Sequence, residues 1–146
     1  MLQKKNQGHG KALLYGYNFI IDKNYKYIFQ TDSDNQFKSF DLKKLWLFKD
    51  NDYDLIIGNR KKRNDPLLRV ILSKLILRPI IYLMFRKYIL DPNIPYRLIN
   101  RNYLKNFLDI VPKNTNIPNI LMSIMAHKIK TINIEHFPRK HGEINW

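Results

Sequence analysis

The sequence predicts an α/β layered fold, a mostly parallel sheet flanked by helices, from three observations. Short apolar runs at Tyr25–Thr31 and Tyr53–Gly58 alternate with helix-patterned segments, the order that builds a sheet with helices on its faces. The second run is continuously apolar, as a strand buried on both faces requires. An acidic cluster, Asp32-Ser33-Asp34-Asn35-Gln36, follows the first run directly, where open α/β sheets bind ligands.

Each element has its own signal. A polar glycine-containing loop over residues 5–10 leads into a helix over Lys11–Ile21, with Leu13, Leu14, Tyr17 and Ile20 or Ile21 on one side. Asp41 is a plausible N-cap for a helix through Phe48 with Leu42, Leu45 and Trp46 facing inward. The segment Pro66–Leu90 is rich in Leu, Ile, Tyr and Phe but interrupted by Lys74, Arg78, Pro79, Arg86 and Lys87. A bilayer span takes ~20 predominantly apolar residues, and charges inside it are costly. It reads instead as two amphipathic helices joined at Pro79, lying on a core or on a membrane surface. A Pro-containing loop after Asp91, helices over Arg101–Ile110 and Ile117–Lys128, and a strand over Lys130–Phe137 complete the chain. The organisation is one domain over residues 1–146, with parts 1–65, 66–90 and 91–146.

Composition narrows the function classes. A hydrophobic content of 45% argues for a folded chain rather than a disordered one. The absence of cysteine removes disulfides and thiolate metal sites. A net charge of +14 calls for an anionic partner: nucleic acid, acidic headgroups or phosphorylated small molecules. The run Asn59-Arg60-Lys61-Lys62-Arg63 lacks the interleaved aromatics of a single-strand binding platform, and no helix-turn-helix or zinc module is present, so nucleic acid is not the expected partner. The N-terminal stretch does not read as a secretory signal.

Asp32 and Asp34 at a strand's carboxyl end project two carboxylates into the ligand crevice, a donor set that magnesium or manganese prefers and that could bridge to a diphosphate. The alternative is a turn, where Asp and Asn gather for local hydrogen bonding. A calcium loop fails, because its sixth position is Phe37 and its twelfth Lys43. Gly8-His9-Gly10-Lys11 does not match the phosphate-loop pattern, which needs Gly and Ser or Thr where Lys5 and Ala12 stand. A glycine loop entering a helix can still face an anion. Arg60, directly after a buried-type strand, suits bidentate contact with a phosphate.

These segments, in this order, resemble family 2 glycosyltransferases, especially the branch that includes dolichyl-phosphate mannose synthase. KNQGHGKALLYG is similar to the family's Asn-x-Gly-x-Gly helix entry, and TDSDNQF to its Asp-x-Asp-x-Gln element. DLIIGNR resembles the strand ending in Gly-Ser-Arg, with Asn59 in place of Ser. Arg69 and Ser73 match an Arg-x-x-x-Ser pair. DPNIPYR is similar to Asp-x-x-x-Gly-Phe-Arg, with Asp91 and Arg97 kept and Pro95 replacing Gly. FPRKHGEINW resembles the closing Arg-x-x-Gly motif through Arg139 and Gly142.

The resemblance implies the C-terminal part of a GT-A three-layer fold and metal-dependent sugar transfer from a nucleotide-diphosphate sugar, with Mg2+ or Mn2+ as cofactor. It implies metal ligation by Asp32, Asp34 and Gln36, and donor binding by Asn6, Gly8, Gly10, Lys11 and Asp32. Acceptor phosphate binding falls to Arg60, Arg69, Ser73 and Arg139, the acceptor being one such as polyprenyl phosphate. For a hydroxyl acceptor, Asp91 is the candidate general base; its plain structural role is to cap the loop it begins. The family's opening strands, which hold the nucleotide base, have no counterpart here. A truncated or split enzyme with a separate N-terminal half is therefore expected, with an apolar sheet edge left open. The expected location is cytoplasmic, peripheral on the inner face of the cell membrane. The rival is an inactive membrane-surface remnant of such an enzyme.

Overall fold

The computed structural model describes residues 8–33, 36–60, 75, 76 and 78–137. It contains α1 (His9–Ile21), β1 (Tyr27–Gln30), α2 (Asp41–Trp46), β2 (Leu55–Arg60), α3 (Arg78–Phe85), β3 (Arg97–Asn100), α4 (Arg101–Ile110), α5 (Pro118–Met125) and β4 (Ile129–Ile134). The α/β class is as the sequence predicts.

The sheet order is β1-β3-β2-β4. β3 pairs antiparallel with both β1 and β2, while β2 and β4 are parallel. Three strands therefore share one direction and a reversed β3 stands between two of them, so the sheet is mixed rather than mostly parallel in its pairings. The sequence reading leaves β3 unassigned. Its residues Arg97, Leu98 and Ile99 are all buried, so the period-2 alternation of a half-solvated strand is missing.

Helices cover both faces. Tyr17 of α1 reaches Gln30 of β1, and Asn119 of α5 reaches Arg97 of β3, the residue directly opposite Gln30. On the other face Phe29, Phe37 and Tyr96 pack together, with rings 4.9 and 5.1 Å apart, and the Tyr96 hydroxyl donates to the Lys38 carbonyl. α2 lies over β2, β3 and β4. Leu45, Leu55, Ile57, Ile99, Leu104 and Met122 form the fully enclosed centre.

Local chemistry sets the boundaries. Leu14 and Tyr17 are the buried stripe of α1, with Leu13, Ile20 and Ile21 packed beside them. Arg101 donates to the carbonyl of Ile21 at 3.2 Å, placing a cation at the negative end of α1. Asn100 caps α4 by accepting from Asn102 at 2.9 Å. α5 stops at Met125, short of the expected Lys128, because Ala126 turns extended at ψ 134°. Asp41 is not a cap but the first residue of α2, and Phe40 precedes it. The buried Asp41 carboxylate instead accepts the backbone N–H of Glu135 at 3.1 Å and binds Lys44, latching α2 to the end of β4. Trp46 does not face inward; it is 46% exposed and lies edge-on to Tyr27.

Pro79 is the second residue of α3, a place where its missing N–H costs little. The first half of the expected helical pair lies outside the described residues. Ile81 anchors α3 while Leu83 is 78% exposed. No described helix is long and apolar enough to cross a membrane.

Gly10 has no room for a side chain: a Cβ there would run into the Thr115 carbonyl and sit 2.7 Å from the Cα of Asn116. Gly16, in the same helix, has nothing within 4 Å. Gly10→Ala should therefore lower the urea midpoint, costing ~1–3 kcal/mol. Gly16→Ala should raise it by ~0.5–1 kcal/mol. Equal effects at the two positions would show that α1 does not pack on residues 115–116.

Candidate functional site at the carboxyl edge of the sheet

The shared direction of β1, β2 and β4 brings their carboxyl ends to one edge, and the loop preceding β3 enters at that edge. α1 runs antiparallel to β1, with Tyr17 beside Gln30 and the carbonyl of Ile21 held by Arg101 near the start of β1. The N-terminal turn of α1, with Gly8, Gly10 and Lys11, therefore projects toward the carboxyl edge. Gly8 takes a φ of +92° that a glycine adopts without strain. Gly10 is used for packing on the chain before α5.

Asp32 follows β1 by two residues and is half-buried. Gln36 ties this edge together: its carbonyl accepts from the N–H of Phe137 at 2.9 Å, and its side-chain amide donates back to the Phe137 carbonyl at 3.4 Å. The segments after β1 and β4 are thereby joined. Asp34, Asn6, Arg69, Ser73 and Arg139 lie outside the described residues. Among the described residues, no group of three or more His, Asp or Glu side chains gathers in a way that could hold a metal.

The structure brings together two residues that the sequence reading assigns separate roles. Arg60, the last residue of β2, donates from Nε to the Asp91 carboxylate at 2.7 Å. Asp91 is 2% exposed, so this carboxylate faces a guanidinium rather than open solvent. Arg60 is placed by the parallel ladder opposite Ile134.

Three further features were invisible as site elements in the sequence. Arg97, fully buried, donates from Nε to the Ile94 carbonyl at 3.0 Å, and from its terminal nitrogens to the carbonyls of Asn119, Pro92 and Ile94. Burial pulls its guanidinium below the usual range, opposed by the charge of Asp91. Tyr17 donates to the Gln30 side-chain oxygen, and burial pushes its hydroxyl up to about 12, with the Asp32 carboxylate adding to the rise. The amide nitrogen of Gln30 is buried without a hydrogen-bond partner among the described residues. Only the Asp-x-x-x-x-x-Arg spacing of Asp91 and Arg97 hinted at any of this; Tyr17 and Gln30 read as core and strand residues.

A layered α/β sheet with acid, amide and guanidinium groups at its carboxyl edge is the architecture in which open α/β sheets place their ligand crevice. The family model for glycosyl transferase family 2 matches residues 1–115. An uncharacterized protein of Methanocaldococcus jannaschii is 34% identical over 110 residues, 70% of this chain and 48% of the relative. The chain belongs to glycosyl transferase family 2. It spans about half the length of the curated relative that it matches.

The tyrosine gives a pH signature. A hydroxyl whose folded value is raised from 10 to about 12 binds its proton more tightly in the native state. Its contribution is fully present below pH 10 and is lost as pH rises from about 10 to 12, amounting to ~2–3 kcal/mol. Tyr17→Phe should flatten alkaline unfolding followed by circular dichroism between those pH values. An unchanged alkaline limb would show that Tyr17 does not carry the dependence.

Proposed function

We propose that this chain forms the catalytic edge of a metal-dependent glycosyltransferase that moves a sugar from a nucleotide-diphosphate donor to polyprenyl phosphate. Family membership supplies the coarse statement, glycosyl transfer from a nucleotide sugar to an acceptor. The observation that supports the finer reading is the placement of Asp32, Gln36 and Arg60 at one sheet edge, an acid, an amide and a guanidinium.

The donor set fits a hard divalent ion. Asp32 and Gln36, with Asp34 between them in sequence, offer oxygen atoms, the ligands magnesium and manganese prefer. When bound, such an ion would act as Lewis acid and template for the leaving diphosphate. Asp32, Asp34 and Gln36 are the residues that would hold it. On this reading Arg60, with Arg69 and Ser73, receives the acceptor's phosphate, Arg139 contacts phosphate as well, and the N-terminal turn of α1 faces the donor with Gly8 and Lys11. A phosphate oxyanion is already a nucleophile, so its attack on the sugar carbon requires no proton removal. The new bond forms as the bond to the nucleotide diphosphate breaks, and the charge departs on the diphosphate.

The lipid acceptor draws support from residues 75–88. Leu75, Ile76, Ile80, Tyr82, Leu83 and Met84 are all exposed, and Arg78, Arg86 and Lys87 lie among them. Apolar side chains mixed with cations suit the surface of an anionic membrane. That strip also fits the second reading, a surface-binding remnant without turnover. A separate N-terminal segment that completes the nucleotide pocket is part of the proposal.

Two measurements separate these readings. With the completing segment supplied, radiolabelled sugar should pass from a nucleotide sugar to polyprenyl phosphate only when manganese or magnesium is present. The Asp32→Ala, Asp34→Ala double variant should lose more than ~1000-fold in rate; full activity in that variant would sink the transferase assignment. Sedimentation with phosphatidylglycerol vesicles should carry the chain down, and Leu83→Glu with Met84→Glu should release it. Equal sedimentation of the two proteins would remove residues 75–88 as the membrane contact.

A further inference from the structure

We infer that the outer edge of β4 is a docking site for an extended segment of a partner protein, one that alternates apolar and acidic residues. The segment joins the sheet as a fifth strand beside Ile129, Thr131 and Asn133.

The pairing pattern decides which backbone groups are open. β4 ends the strand order, with β2 as its neighbour. The Gly58 N–H donates to the Tyr96 carbonyl, just before β3, at 2.9 Å. Alternate residues of β2, namely Leu55, Ile57 and Asn59, therefore turn their backbone toward β4. The Leu55 N–H accordingly donates to the Lys128 carbonyl, at 3.4 Å. A parallel ladder bonds each such residue to the two neighbours of its register partner. The register partners are Ile129, Thr131 and Asn133, so their N–H and C=O groups point away from β2. Among the described residues those outward groups meet no partner.

Edges of this kind are usually blunted by proline, a bulge or brevity. β4 has none of these. It runs six residues in one-to-one register with β2, and its sequence, IKTINI, is dominated by β-branched side chains.

The two faces of the edge define the occupant. On one face, Ile129 and Thr131 border a cavity of about 210 Å3 that Tyr88, Ile89 and Ala126 also line. Lys87 fixes that wall by donating to the carbonyls of Ile124 and Ala126, at 2.5 and 2.6 Å. An added strand sends every second side chain over this cavity, where the buried Ile89 and Ala126 favour apolar groups. On the other face stands Lys130, its ammonium 4.9 Å from the centre of the Phe48 ring and without a carboxylate partner among the described residues. The remaining side chains of the added strand pass this cation, and carboxylates suit them. The net charge of +14 favours an acidic partner over a second copy, since two such chains repel. Main-chain bonds then supply affinity and the alternating side chains supply selectivity.

The test is titration of the full chain with an end-blocked eight-residue peptide of alternating Val and Glu, followed by 15N NMR and hydrogen exchange. In the free protein the amides of Lys130 and Ile132 should exchange at least ~10-fold more slowly than those of Thr131 and Asn133. The opposite phase would refute the open edge. The peptide should shift and protect Ile129, Thr131 and Asn133; protection confined to other residues, or no binding, would overturn the site.

Peptide variants separate strand addition from charge. Two adjacent N-methylated residues at the centre block both edges of the peptide and should weaken binding at least ~10-fold. Lys in place of every Glu should do the same. Equal binding of the first would leave charge alone as the cause, and equal binding of the second would remove the acidic occupant; either overturns the proposal. Thr131→Pro removes an outward N–H and no bond to β2, so it should keep the fold and lose binding at least ~10-fold. Binding as in the wild type would sink the assignment, and the peptide variants decide if the protein variant does not fold. A dimer that Thr131→Pro returns to monomer in sedimentation would give the edge to a second copy and overturn the partner proposed. None of these readouts involves sugar transfer, so they stand apart from the transferase reading.

Discussion

The fold depends on a charged group placed where charge is expensive. Arg97 is wholly enclosed in the middle strand of the sheet, and burying an uncompensated guanidinium would cost several kcal/mol. The compensation is a cage of carbonyls from Ile94, Pro92 and Asn119. Those three acceptors belong to the loop before β3 and to the first turn of α5, so solvating one cation fixes two segments against the sheet. Ser123 adds a second donor to the carbonyls of Pro92 and Asn119, both at 3.0 Å. Removing the arginine would leave buried acceptors short of donors as well as a void, which is why a polar group in this position organises rather than merely occupies the core.

That organisation also determines where chemistry can occur. Because β3 runs against its neighbours, the chain reaches it from the same edge at which β1, β2 and β4 end. Arg60 and Asp91 come from distant stretches of sequence and meet through this one reversal, and Asp32, after β1, lies at the same edge. A fourth parallel strand in the same slot would deliver its preceding loop to the opposite edge, and Asp91 would lie a strand's length from Arg60. Gly58 contributes to the packing over the sheet face: a Cβ there would meet the Ile134 side chain and lie 3.3 Å from the Tyr96 ring.

Legibility followed the length scale of the signal. Local patterns were readable: the apolar stripe of α1, the strand ending at Gln30, the continuous run of β2 and the span of α4, where helix and sequence reading coincide at Arg101–Ile110. What failed was set by tertiary contact. Asp41 looked like a cap because caps favour aspartate, yet its partner is the backbone of Glu135, far along the chain. Trp46 was grouped with Leu42 and Leu45 on the inward side, but of the three Leu45 alone is fully buried. β3 escaped notice because full burial erases alternation and because proline and aspartate just before it read as a loop. At the site, Asp91 and Arg60 were each visible as candidates; their pairing was not, since nothing local connects β2 with the loop before β3.

The exposed strip over residues 75–88 raises the same physical question from outside. Six or more large apolar side chains on one short stretch cost solvation free energy unless something covers them. A second copy of a chain carrying +14 is an unfavourable cover, because two such molecules repel. The second anchoring interaction is more telling. Lys87 does not reach outward but donates to the carbonyls of Ile124 and Ala126, at 2.5 and 2.6 Å, where burial pulls its amine below the usual range. It pins the end of the strip to the carboxyl end of α5, the helix whose first turn cages Arg97. On the proposed reading, a lipid surface beneath α3 and the phosphate site at Arg60 are thus bound to one rigid frame, so a prenyl chain and its headgroup would meet fixed points rather than independently moving ones. That coupling requires no motion and no further element. It follows from two cations, Arg97 and Lys87, both satisfied by backbone carbonyls at opposite ends of the same eight-residue helix.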